Sequence, residues 1–264
     1  MTAPAGGEGQ LADGRSIVLR LAGPADVAAI TRLYQDLSPE SFARRFHGGR
    51  LAPSVLARLA GLDGGVVCLV AAPPDDPGRL AAEARYVPVA PGTAELALTV
   101  SDTYQGAGMG QLLLEALVQR AREDGLERLR AVVLLDNIAM LRLLQRYGWV
   151  LAAATEEFSV ACLEISATGG MPGWPAGSAG RRVLVERRGW FDDQQVAALR
   201  SAGYDVRQCA GPLHQVRACP LVSSGQCRLA EQADLIVSLL PGGEPDCAAV
   251  LAAHRQRWPE RLIQ

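Results

Sequence analysis

Residues 94–124 place a strand, a glycine-rich loop and a helix in immediate succession. Apolar residues alternate along the strand, and glycines at 106, 108 and 110 follow it at the start of an amphipathic helix. Closely spaced glycines let backbone N–H groups turn toward one point, and a helix N-terminus adds a partial positive charge. The segment therefore predicts an anion site that suits a pyrophosphate.

This loop has two other interpretations. A Rossmann dinucleotide fingerprint carries glycines at its first, third and sixth places, but the sixth place counted from Gly106 is Gln111. The loop also follows a meander of strands rather than the opening strand of a βαβ unit. The second alternative is a glycine-rich turn that binds nothing.

The order of elements around the loop indicates two domains, as does a length of 264 residues at roughly 150 per domain. A strand, two helices and a meander precede the loop, and a strand, a short helix and a hairpin follow its helix. This order predicts a first domain over residues 16–166. Residues 1–15 show no periodicity and are expected to form a disordered leader without a site.

A linker and a second, smaller domain are predicted after this point. Residues 167–180 are rich in glycine and proline, which is typical of a linker. Residues 181–264 repeat a β-α-β-loop-β-α order, which predicts a small parallel α/β domain of the Rossmann or flavodoxin-like kind with a regulatory role. No glycine-rich loop follows its first strand, so we expect no nucleotide site there.

The composition excludes several chemistries. All 26 basic residues are arginines, so the chain contains no lysine. A pyridoxal Schiff base, a catalytic lysine and a Walker A loop each need one and are therefore excluded. The net charge of −2 disfavours nucleic acid as a partner. The absence of an apolar run of 18 residues and of a signal-peptide pattern predicts a cytoplasmic protein with no membrane partner.

Three of the six cysteines lie close together in the sequence. Cys209, Cys219 and Cys227 fall within nineteen residues and, with His214, offer four soft metal ligands, although they form no CxxC pair. A metal site, a redox-sensing thiol pair and inert thiols are all compatible with this pattern. We expect no metal cofactor.

The loop resembles that of a known family. Residues 105–110, QGAGMG, match in full the Q/R-x-x-G-x-G/A loop of the GNAT superfamily of acetyl-coenzyme A dependent N-acetyltransferases. Asn137 and Gly148-Trp149 are placed as in the N-x10-G-[FW] helix of that family. The resemblance implies an α/β chain with the α+β GNAT fold and a mixed central sheet. Within the family, AELALTVSDTYQGAGMG, LLDNIAML, RYG and LSPESFARRF (37–46) look most like bacterial protein lysine acetyltransferases of the Pat type.

The resemblance also implies roles for particular residues. Acetyl-coenzyme A (acetyl-CoA) is the implied cosubstrate, and Glu95 is the implied base that deprotonates an acceptor ammonium with an ordinary pKa near 10.4. Burial would raise the pKa of such a base usefully. From the strand pattern alone, Glu95 is a solvent-facing strand residue. The implied cofactor-binding residues are Leu98, Thr99, Val100, Gln105, Gly106, Ala107, Gly108, Met109, Gly110 and Asn137, of which Asn137 is alternatively a helix N-cap.

One departure from the family bears on the leaving group. Many GNAT enzymes carry a tyrosine acid seven residues after the helix asparagine, but Leu144 stands at that place, so we expect the thiolate to leave unassisted. Arg44, Arg45, Arg85 and Tyr86 line an acceptor mouth or form a solvated face, and we favour the face.

The sequence thus predicts transfer of an acetyl group from acetyl-CoA to an amine, with lysine side chains of target proteins as acceptors. A small-molecule amine is an alternative acceptor, and a module that senses acyl-CoA with little turnover is an alternative function. Because the chain has no lysine, it is not its own lysine substrate.

Overall fold

The computed structural model describes residues 7–134, 136–145, 150–155, 160–166, 173–174, 180–187, 194–209, 211–212 and 219–263. Backbone contacts divide the chain into two compact units, Met1–Ala131 and Val132–Gln264. No helix in the described ranges has the length and apolar character needed to cross a bilayer.

The first unit is built on a mixed sheet. Its strands are β1 (Gly7–Gln10), β2 (Ser16–Leu21), β3 (Val67–Ala72), β4 (Ala82–Ala90), β5 (Thr93–Val100) and β6 (Arg128–Leu134). Neighbours in this order pair antiparallel from β1 to β5, and β5 pairs parallel with β6. The predicted mixed central sheet is therefore confirmed.

Helices cover both faces of this sheet. They are α1 (Val27–Gln35), α2 (Pro39–Phe46), α3 (Pro53–Ala60) and α4 (Met109–Glu123). Helices α1 to α3 share one apolar core with alternate residues of β3, among them Cys68 and Val70. On the opposite face, Tyr86 of β4 donates a hydrogen bond to Asp124 at the end of α4. The sheet thus separates α4 from the three preceding helices.

The N-terminal segment corrects one prediction. Residues 7–15 are not a disordered leader, because β1 pairs with β2 along its whole length and Leu11 is buried. Ala12 N–H donates to the carbonyl of Ala107 at 3.0 Å. Strand pairing along a sheet edge uses backbone groups and needs no apolar periodicity, so the sequence pattern did not reveal it.

The second unit contains a parallel sheet. Its elements are α5 (Ile138–Gln145), β7 (Val150–Thr155), β8 (Val160–Ser166), β9 (Arg182–Arg187), α6 (Gln194–Ser201), β10 (Asp205–Cys209), α7 (Pro220–Ser223), α8 (Arg228–Gln232), β11 (Leu235–Leu239), α9 (Pro245–Arg257) and β12 (Leu262–Ile263). Strands β10, β9, β11 and β12 are parallel neighbours in that order, as the sequence predicts for a smaller α/β domain. Strands β7 and β8 form the predicted antiparallel hairpin.

The boundary between the units does not coincide with the end of the predicted first domain. Strand β7 pairs antiparallel with β10 at Leu151 and Gln208, which joins the hairpin to the parallel strands. The predicted domain limits, 16–166 and 181–264 with a linker over 167–180, stay predictions.

Candidate functional site

The loop between β5 and α4 is shaped by two glycines. Gly106 and Gly108 have φ values of 77° and 88°, in the left-handed region that a residue with a Cβ adopts only at a cost. Between and after them, Ala107 and Met109 bury their side chains. The loop is thus anchored by its apolar residues and bent by its glycines.

The backbone N–H groups of residues 106–111 are available to a ligand. In the described part of the chain, no oxygen accepts a hydrogen bond from any of them, and the first amide engaged inside α4 is Leu112, which donates to Gly108 at 3.1 Å. These amides surround the positive end of the α4 dipole. The structure therefore presents the anion site predicted for Gly106, Ala107, Gly108, Met109 and Gly110, whose contact with a cofactor stays a prediction.

Gln105 supports the loop with its side chain. Its Nε2 donates to Ser41 Oγ at 2.9 Å and to the Val100 carbonyl at 3.2 Å, and its backbone N–H donates to the Asp102 carbonyl at 3.4 Å. These bonds engage the polar groups that a direct cofactor contact would use. Gln105 accordingly shapes the site in this structure, and its predicted cofactor contact stays a prediction.

Strand β5 has an unpaired edge beyond Glu95. Pairing with β4 continues to Val100, whereas pairing with β6 covers only Thr93 to Glu95. Leu98, Thr99 and Val100 lie in the half of β5 without a β6 partner. Apart from the Val100 carbonyl, which accepts from Gln105, backbone groups on that side are free to bind an extended ligand. The resemblance implies that these three residues bind the cofactor, and that role stays a prediction.

Glu95 lies in β5 at the start of the unpaired edge. It is exposed, as the strand pattern alone predicts. Its partner on β4 is Val87, in a strand end, residues 87–90, that is exposed as well. Within the described ranges, no hydrogen bond or ion pair engages the Glu95 carboxylate. The group is therefore accessible to water and to an approaching amine.

A buried charged network lies further along the same face of the sheet. Glu83 is fully buried and accepts hydrogen bonds from Tyr34 Oη and Thr99 Oγ1 at 2.9 Å and from Arg85 Nε at 2.8 Å. Burial acts to raise the pKa of Glu83, but the charges of Arg85 and Arg45 outweigh it and hold that pKa below its ordinary value. Burial and the charge of Glu83 raise the pKa of the Tyr34 phenol.

Two residues assigned to a solvated face belong to the interior. Arg85 and Tyr86 are buried, and Arg85 Nη1 donates to the carbonyls of Leu59 at 2.7 Å and Gly61 at 3.1 Å at the end of α3. Arg44, which pairs with Glu40 at 2.7 Å, remains at the surface as predicted, whereas Arg45 is partly buried. The signal available in the sequence was the alternation of Glu83 and Arg85 within an otherwise apolar strand.

Asn137 caps helix α5. Its Oδ1 accepts from Met140 N–H at 3.2 Å and its carbonyl accepts from Leu141 N–H at 3.1 Å. The N-cap interpretation is thus confirmed, and contact with coenzyme A stays a prediction. Tyr147, Gly148 and Trp149 lie outside the described residues.

The clustered cysteines lie in one apolar core of the second unit. Cys209, Cys219 and Cys227 pack with Leu184 and neighbouring apolar residues. Burial raises the pKa of Cys219 to about 11 and that of Cys227 to about 12, with a further contribution from Cys209. Such thiols are protonated at neutral pH, which favours the inert interpretation.

The metal interpretation has no support in the described part of the chain. There, no group of three His, Cys, Asp or Glu side chains is arranged to hold an ion. His214, the fourth ligand considered from the sequence, lies outside the described residues.

Comparison with known proteins shows what this geometry is similar to. Residues 30–149 match the Acetyltransferase (GNAT) family. It is 43% identical over 77 residues to the acetyltransferase Pat of Mycolicibacterium smegmatis, a match that covers 28% of this chain and 23% of that protein. The chain thus spans about a quarter of the curated relative it matches.

A solved structure extends the similarity. The GNAT domain of S. lividans PAT superposes with a TM-score of 0.53 at 29% identity, over 60% of this chain and 95% of that domain. The resemblance to the GNAT superfamily and to its Pat-type members is thereby confirmed.

Proposed function

We propose that this chain transfers an acetyl group from acetyl-CoA to an amine. The observation that carries the proposal is the row of unengaged N–H groups at residues 106–111, placed directly after the unpaired half of β5. The pyrophosphate binds the N–H groups, and the pantetheine arm follows the free edge of β5 back toward Glu95. The five residue-to-residue steps from Glu95 to Val100 span about 17 Å of strand, which suits an extended arm.

The chemistry is direct attack on the thioester. The Glu95 carboxylate takes a proton from the acceptor ammonium, through water because the group is exposed. The neutral amine then forms a C–N bond with the acetyl carbonyl carbon, and the C–S bond breaks with its electron pair on sulfur. The nitrogen releases its second proton to water and becomes the amide. A backbone N–H on the unpaired edge of β5, close to Glu95 where the thioester lies, stabilises the oxyanion. Coenzyme A leaves as a thiolate without a tyrosine acid, because the buried Leu144 stands at that place.

Lysine side chains of other proteins are the proposed acceptors. An exposed Glu95 beside an exposed strand end suits a large acceptor that approaches from solvent. The similarity to the Pat acetyltransferase supports the same assignment. Gln105 belongs to the proposed cofactor site. A cytoplasmic location completes the proposal and is supported by the free thiols of Cys68, Cys209, Cys219, Cys227 and Cys247.

The test is release of free thiol from acetyl-CoA with a panel of lysine-bearing proteins and small amines. We expect protein-dependent release that E95Q lowers by about 100-fold, within the usual range for loss of a general base, while coenzyme A affinity is retained. E123Q, at an exposed position near the end of α4, is the matched control and keeps wild-type rates. Release with small amines alone contradicts the assigned acceptor. Coenzyme A binding without any release identifies a sensing module instead.

A further inference from the structure

Helix α2 is fastened to the loop segment by a carboxylate that the proposed reaction does not use. Asp102 lies just after β5, and its side chain accepts hydrogen bonds from the Ser38 N–H at 2.8 Å, Ser38 Oγ at 2.8 Å and Ser41 Oγ at 2.5 Å. These donors form the first turn of α2, where Ser38 is also the N-cap. Asp102 therefore joins two segments that lie more than sixty residues apart in sequence.

Gln105 contacts the same cluster from the loop side, and we call the contact of Asp102 and Gln105 with Ser38 and Ser41 the Asp102 joint. Its Nε2 donates to Ser41 Oγ at 2.9 Å and to Asp102 Oδ1 at 3.4 Å. Ser41 thus contacts both loop side chains at once. Gly106, which follows Gln105, carries the first of the unengaged N–H groups. The position of those N–H groups is consequently tied to α2.

The other end of α2 is fastened to β5. Arg45 Nε donates to Thr99 Oγ1 at 2.9 Å, and its Nη2 lies 3.4 Å from the buried carboxylate of Glu83. The Arg45 guanidinium also lies 4.9 Å from the ring centre of Phe46. Helix α2 is therefore held at both ends along the segment that leads from Thr99 to Gln105.

The Asp102 joint is charged under neutral conditions. Burial acts to raise the pKa of Asp102, but hydrogen bonds from Ser41 and Ser38 outweigh it and lower that pKa. An ionised carboxylate makes stronger hydrogen bonds than a neutral acceptor, and a negative charge is favourable at the N-terminus of α2.

We propose that Asp102 is a positioning residue that fixes the cofactor loop through helix α2. The inference rests on the proposed binding of the pyrophosphate at residues 106–111. When the joint is broken, the loop samples more conformations, and ordering it on binding costs conformational entropy. By linkage, coenzyme A bound to the loop stabilises α2 to the same extent that the joint favours binding.

The first test is calorimetric titration of coenzyme A into the full chain and its variants. D102N is expected to bind about tenfold more weakly than wild type, and S41A several-fold more weakly. The double variant is expected to bind no more weakly than D102N, since both changes break one joint. D75N is the matched control, because Asp75 is exposed in the turn before β4, and it retains wild-type affinity. Unchanged affinity in D102N, or losses that multiply in the double variant, overturns the inference.

The second test separates positioning from general destabilisation. Coenzyme A is expected to slow hydrogen exchange in residues 38–46 of wild type and not in D102N. If D102N lowers only the unfolding temperature and α2 is protected equally in both proteins, the inference is wrong. A loop variant, G108A, distinguishes failure of the proposed pyrophosphate site from failure of the proposed role of Asp102. If G108A also binds coenzyme A normally, the proposed pyrophosphate site fails, whereas loss in G108A with none in D102N refutes only the role of Asp102.

Discussion

At the residue scale, Glu83 has the largest expected effect on stability. Its carboxylate is the ion-pair partner of Arg85, whose side chain is only 5% exposed. A buried pair adds little net stability over an apolar pair, but removing one partner leaves an uncompensated charge in the interior. Glu83 and Arg85 therefore compensate each other's charge in the interior. Tyr34, Thr99 and Arg45 contact the same Glu83 carboxylate.

Replacing Glu83 by glutamine is expected to lower the free energy of unfolding by about 3 to 5 kcal/mol, because the Arg85 charge stays buried without its counterion. Urea unfolding followed by circular dichroism measures the change. E40Q serves as the control, since Glu40 pairs with Arg44 at the surface and is 73% exposed, and it is expected to leave the midpoint unchanged. Equal stability of E83Q and wild type contradicts the account of this network.

The pH dependence of unfolding provides a separate check on Glu83. Its folded-state pKa is lowered, so its contribution to stability is complete above the unfolded pKa of about 4.3 and declines as the pH falls through the folded pKa. Wild type is thus expected to lose stability in acid more steeply than E83Q. If the free energies of unfolding of the two proteins fall in parallel below pH 5, this account of Glu83 is contradicted.

At the scale of the element, α4 has a left-handed glycine at each end. Gly108 precedes the helix with φ 88°, and Gly125 follows it with φ 75°. A Cβ built on either glycine meets no atom within 4 Å. The two positions therefore share the same backbone cost, while only Gly108 lies among the residues with unengaged N–H groups.

This pair of glycines gives a controlled test of the loop. Alanine at either position is expected to lower the free energy of unfolding by about 1 to 2 kcal/mol through the left-handed backbone. Only G108A is expected to lose coenzyme A affinity, by at least tenfold, because its methyl group obstructs the pyrophosphate. Thermal unfolding and calorimetric titration of both variants measure the two effects. Equal affinity losses in G108A and G125A would refute the proposed site.

The sequence predicts those elements that are specified by patterns of residues close together in the chain. Alternating apolar residues and closely spaced glycines specify the meander, the loop at residues 105–110 and helix α4, and all of these are present. Strand β1 was missed because edge pairing uses backbone groups. The joint between Asp102 and Ser38 was missed as well, since their sequence separation leaves no periodic signal. Glu95 was placed on the correct strand, and the strand pattern alone predicts its exposure.

At the scale of the whole molecule, the absence of lysine simplifies the assay. Acetyl groups transferred to lysine must appear on another molecule, because this chain offers none. The second unit adds a parallel sheet with buried thiols. Acetylation of an added protein is therefore counted without a background from lysines of the enzyme.

The central claim is transfer of an acetyl group from the thioester to an amine, and the most direct test is stoichiometry in a single turnover. With acetyl-CoA and an excess of a lysine-bearing protein, free thiol is measured optically and acetylated lysine by mass spectrometry. The account predicts one acetyl-lysine for each thiol released, and neither product in E95Q over the same interval. Thiol release without acetylated amine would reveal a thioester hydrolase and contradict the account.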